Sequence, residues 1–268
     1  MNRPANKISL TLTVFVLSFS LGCKRLPQAP QSLEELTNYL FVHFEDENDL
    51  ALQAGVSNTY DWLSLNFEEA NTGYRVQDLS LDAVDNLGIE PVLEGQVGVA
   101  VGYDLFVETD ALMDVIVSTG GVDINPDLYL LYERNFLTDP DCFLSGECDF
   151  LTYTLESISV YPLSLEVQAW NTTEIRRVPF HGKSAYIIRN WMTAPAEINA
   201  DWIAFDQQYY ISALLPCESA TRRLDAGWIV ADFGILPIPE ELIVSLAVDS
   251  MRDSGQATAD YLLEHGND

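Results

Sequence analysis

An α+β fold is what the chain predicts: an antiparallel sheet packed on a long C-terminal helix, with a helical segment ahead of both. Three observations carry it. Between residues 96 and 233, apolar and polar residues alternate in a series of segments separated by turn residues, the period of strands. From Pro239 to about Glu264 the apolar spacing becomes helical, and before residue 95 it is helical too. Hydrophobic residues make up 48% and aromatics 11%, enough to build a core in spite of a formal charge of −28.

Taken in order, residues 1–22 read as an export signal. Arg3 and Lys7 charge its start, Ile8 to Phe19 is apolar but too short to span a bilayer, and Ser20-Leu21-Gly22-Cys23 closes it. Residues 23–31 read as a tether, and residues 32–94 as a helical segment packed on the main domain. Within that segment Ser32 and Glu35 form a capping box before a first helix. A second helix spans about Glu47 to Leu63, with Gly55 and Ser57-Asn58 as candidate breaks, and a third pattern covers 76–88.

The main domain spans residues 95–264. Val97, Val99, Val101 and Tyr103 set a strand over Gln96–Phe106, and a short helix follows over Ala111–Val117. Asp127–Phe136 fits neither period cleanly. Strands follow over Phe150–Val160, Leu165–Val178, Ala185–Met192, Trp202–Leu215 and Arg222–Phe233. Pro237 and Pro239 then halt the sheet, and Glu240-Glu241 suits the positive end of the last helix.

Charge excludes some partners. So acidic a chain repels nucleic acid and anionic lipid surfaces, and removing residues 1–22 deletes two cations and no acid. Cys142 and Cys148 flank a turn-rich loop and are expected to pair, which leaves Cys217 unpaired unless it competes for one of them. Chemistry is scarce. No Gly-x-Ser-x-Gly, phosphate loop or dinucleotide fingerprint occurs, and His43, His181 and His265 lie apart in sequence. Glu45 to Asp49 and Asp139 to Asp149 are acid-rich without calcium-loop spacing. No catalytic residue, metal ligand or cofactor is expected, and the chain is read as a non-enzyme.

Two resemblances sharpen this reading. Leu21-Gly22-Cys23 resembles the lipobox of bacterial lipoproteins, with Ser20 a departure from the usual aliphatic residue. It implies lipid attachment at Cys23 and, because Lys24 replaces the inner-membrane retention aspartate, the outer membrane of a Gram-negative bacterium, on its periplasmic or surface face. Residues 95–264, and Gly227 to Gly234 leading through Ile238-Pro239-Glu240 into the last helix above all, resemble the helix-grip domains of the START and SRPBCC superfamily. That resemblance implies a curved sheet around the terminal helix, an apolar cavity between them, and an apolar small molecule or lipid as ligand. Trp191, Tyr210, Trp228 and Arg189 are its candidate ligand-binding residues. The rival expectation is a filled core in an interaction or structural lipoprotein.

Overall fold

The computed structural model describes residues 28–46, 48–161, 164–234 and 238–266. The export signal and Cys23 lie outside them. The expected fold class is present: one large, curved antiparallel sheet with helices on both faces and a long C-terminal helix.

The helical segment opens with α1 (Leu33–Val42), a 3-10 turn (His43–Glu45), α2 (Leu50–Leu65), α3 (Phe67–Thr72) and, after the two-residue strand β1 (Tyr74–Arg75), α4 (Leu81–Val84). Ser32 caps α1 in extended conformation but makes no side-chain hydrogen bond, so the capping box is not formed. Gly55 does not break α2. A Cβ there would stand 2.8 Å from Leu40 Cδ2, so glycine lets α2 press against α1.

The remaining strands are β2 (Val97–Leu105), β3 (Tyr129–Phe136), β4 (Phe150–Tyr161), β5 (Leu165–Phe180), β6 (Lys183–Met192), β7 (Glu197–Ile198), β8 (Ala204–Cys217) and β9 (Ala220–Asp232). Between β2 and β3 lie α5 (Thr109–Ser118) and α6 (Gly121–Ile124), and between β3 and β4 lies α7 (Pro140–Ser145). The chain closes with α8 (Glu240–His265). Spatial order is β1-β2-β9-β8-β6-β5-β4-β3, with β7 on β5. Thus β2, first of the long strands in sequence, pairs with β9, the last. Trp202, expected on a strand, precedes β8 and is exposed.

Strand parity sorts the side chains onto two faces. Phe180, Val178, Ile187, Trp191, Tyr209, Ile211, Ala213, Leu224, Ala226 and Trp228 meet α1, α2 and α4 through Leu36, Leu40, Phe41, Phe44, Leu52 and Leu63. The alternate residues Val101, Tyr103, Leu151, Tyr153, Ile175, Tyr186, Ile188 and Leu214 meet α5, α7 and α8 through Leu112, Met113, Phe143, Val248 and Ala259. We call these the α1 face and the α8 face. Such two-sided cover explains why so many strands read as apolar on both parities.

Cys142 and Cys148 are bonded across α7. Closing so short a loop restricts the unfolded chain only modestly, so the Cys142→Ser/Cys148→Ser pair is expected to lose about 2 kcal/mol in urea unfolding.

Candidate functional site

Where α8 crosses the sheet it lies close to β2, because small residues line the contact. A Cβ on Gly255 would fall 2.2 Å from the Tyr103 hydroxyl, and Met251 Cε sits over Gly227. At these two points the helix is in direct contact with β2 and β9, and no space is left between them.

What lies under that contact is polar. The register places Tyr103 opposite Arg223, Val101 opposite Asp225, Ser212 opposite Asp225, and Tyr210 opposite Gly227. Asp225 is wholly buried and accepts three hydrogen bonds: from Tyr103 Oη at 2.5 Å, Tyr210 Oη at 2.6 Å and Arg223 Nε at 2.9 Å. Arg223 Nη2 also donates to the Tyr210 hydroxyl at 3.1 Å. Burial works against the Arg223 charge, but Asp225 and the two phenols outweigh it, so its pKa moves well above the ordinary value. Burial, with Asp225 beside them, raises the phenols of Tyr103 and Tyr210.

Beyond α8, the same face continues over β3 to β6. Cross-strand pairs there include Tyr132 with Ser157, Tyr129 with Ser159, Tyr153 with Thr173, and Thr173 with Asn190. Tyr210 lies opposite Asn190 and joins this floor to the Asp225 network. Tyr129, Tyr132, Asn171, Asn190 and Tyr210 are half-buried, so solvent reaches this floor, and we refer to this part of the α8 face as the recess. Asn190 Nδ2 donates to Thr173 Oγ1 at 2.7 Å. α6 closes one end, with Gly121 against the Tyr132 ring. Loss of water pushes the Tyr129 phenol up to about 12 and raises those of Tyr132, Tyr153 and Tyr161. Near neutral pH the recess therefore offers uncharged hydroxyls on aromatic walls, a surface for an amphiphile.

The histidines lie elsewhere. His43 bonds Asp46, His181 stacks on Phe180, and His265 bonds the Tyr261 carbonyl. Among the described residues no group of three His, Cys, Asp or Glu side chains is placed to hold a metal, and no helix is long and apolar enough to cross a membrane.

The four residues singled out from sequence do not form one site. Tyr210 is on the α8 face. Arg189, Trp191 and Trp228 have the other parity and pack beneath α1, where they take structural partners instead of facing a recess. Trp228 Nε1 donates to the Gln77 carbonyl at 2.9 Å and its ring meets Phe41. Arg189, fully buried, pairs with Glu174 at 2.6 Å and with Glu45. Its guanidinium lies 4.6 Å from the Phe44 ring centre and 5.2 Å from that of Trp191. Tyr103, Arg223 and Asp225, the heart of the α8-face network, were not singled out as a site.

Burial raises the pKa of Glu174 against the lowering effect of Arg189, and Glu45 adds to the rise. Between the ordinary value of 4.5 and that raised value, the folded protein keeps a proton the unfolded chain has lost. Stability contributed by this group therefore falls as pH rises through that window. Glu174→Gln is expected to remove that slope from a pH series of urea midpoints.

No family model matches the chain, and no curated protein does. Solved structures with some likeness include a STAR-related lipid transfer protein of Xanthomonas axonopodis, with a TM-score of 0.38 and 14% identity over 67% of this chain and 92% of that one. The Zhui aromatase/cyclase of a Streptomyces species gives 0.37 and 13% over 64% and 98%. Norcoclaurine synthase of Thalictrum flavum gives 0.37 and 13% over 63% and 88%. At such scores the likeness says nothing about ligand or activity.

Proposed function

We propose that this is a lipid-anchored cell-envelope protein, attached through Cys23 to the outer membrane of a Gram-negative bacterium, that binds a small amphiphilic or lipid-like molecule in the α8-face recess. The recess itself carries this reading. Solvent reaches it, half-buried tyrosines with raised phenol pKa values floor it, and a buried charged network behind it fixes Tyr210. Apolar ring faces accept a ligand's hydrocarbon, and the hydroxyls, Asn171 and Asn190 orient its polar groups.

The full chain purified in mild detergent should show bound mass in native mass spectrometry that is lost on unfolding. Ala169 lies opposite Ser157, itself opposite Tyr132, and Ala169→Trp should give the apo mass with an unchanged melting temperature. A clean apo mass for the unaltered chain would sink the reading. Separately, Cys23→Ser should move the protein from the membrane to the soluble fraction. A variant that stays with the membrane would rule out the anchor.

One observation favours the rival reading of an interaction lipoprotein. Leu242 and Leu246 on α8 stand 47% and 60% exposed, an apolar surface a protein partner could cover. The native-mass experiment separates the two.

A further inference from the structure

The α1 face of the sheet is bare beyond the helical layer. There Glu133 pairs with Glu156, Glu156 with Trp170, and the Thr193 amide bonds the Trp170 carbonyl, so the four form one row across β3, β4, β5 and the end of β6. The row lines an open groove of about 310 Å³, with Arg134, Asn135, Thr154, Leu155 and Asn171 completing its lining. By strand parity Glu133, Glu156 and Trp170 face away from the recess, although Asn171 belongs to the lining of both, and the inference does not rest on the function proposed above.

Two features of the groove point to one kind of ligand. Like charges directly opposite on antiparallel strands repel, and the neighbouring cation gives no relief. Arg134 has the other parity, where it stacks among Tyr132, Phe136 and Tyr153 and donates to the carbonyls of Ile116 and Thr119. Glu156 is held instead by the neutral Gln168 amide at 2.7 Å. Beside this pair stands a half-buried indole. A metal ion is badly served here, with two carboxylates and no third acidic or histidine ligand placed to join them. A compact organic cation is well served, since both carboxylates face its charge while its alkyl groups lie on the Trp170 ring.

We infer that this groove binds an alkylammonium group, whether free in solution or carried on a lipid. Titration of the full chain in non-ionic detergent with tetramethylammonium chloride should give a saturable change in tryptophan emission, with a dissociation constant on the order of millimolar. Sodium chloride and tert-butanol at matched concentrations should give none. Trp170→Leu should abolish the change, and Glu156→Gln should weaken binding about tenfold. Glu133→Gln/Glu156→Gln should lose the response while melting at the same temperature or higher, because it also removes the repulsion. An unsaturable response, an equal response to tert-butanol, or unaltered binding by Trp170→Leu would each overturn the inference. Flotation of Cys23→Ser with phosphatidylcholine but not phosphatidylglycerol vesicles assigns a lipid source, and saturable binding without flotation assigns a free cation.

Discussion

Arg189→Ala is expected to destabilise the protein by about 3–5 kcal/mol, because it removes one partner of a buried ion pair and leaves the other behind. Arg189 is fully shielded on β6, with Glu174 opposite it on β5 and Glu45 reaching across from the 3-10 turn. Phe41, Phe44 and Trp191 enclose its guanidinium, so truncation also opens a cavity in that cage. Arg176 holds the same turn through the carbonyls of Phe44 and Asp46 and the Asp49 carboxylate. The two arginines thus fasten the start of the chain to strands more than a hundred residues later. Glu45 is 43% exposed, so Glu45→Gln should cost under about 1 kcal/mol. Arg189→Met/Glu174→Leu should recover most of the loss, since an apolar pair of similar size needs no desolvation of charge. Urea unfolding of the three variants decides the matter. If Arg189→Ala costs no more than Glu45→Gln, the helical layer is held by its leucines alone.

The strands were legible because their alternation is local. Val97, Val99, Val101 and Tyr103 announce one face of β2 with no knowledge of a partner, and Glu240-Glu241 after the prolines announces α8. β3 escaped assignment for a physical reason. It is an edge strand, with an irregularity between Tyr129 and Leu131 that breaks the alternation. Parity also says which side chains share a face without saying what covers it. Arg189, Trp191 and Trp228 are charged or aromatic residues on strands, and only the placement of α1 shows that their face is a packed core. The Asp225 network asks for still more. Tyr103 and Asp225 stand 122 residues apart, and only the closing of β2 onto β9 brings them together. Small residues gave a faint sign, since Gly255 in the middle of a long helix costs helix stability unless something must come close.

Asp225→Ala should be as costly as Arg189→Ala, about 3–5 kcal/mol, by the same rule applied on the other face. The change strands Arg223, 7% exposed, with no carboxylate, and deprives two phenols of their acceptor. Tyr103 keeps one alternative, its bond to the Met251 carbonyl at 3.0 Å, so it stays pinned to α8. Tyr210 has only the stranded guanidinium. The two single variants should therefore diverge. Tyr103→Phe and Tyr210→Phe should each cost about 1 kcal/mol in urea unfolding, the usual net value of one hydrogen bond. Only Tyr210→Phe should change what the recess holds, because Tyr210 alone stands both in the network and opposite Asn190. Equal loss of bound mass from both variants would mean that the network supports the fold as a whole and does not orient the recess. Loss from Tyr210→Phe alone would tie the buried charge directly to the binding surface.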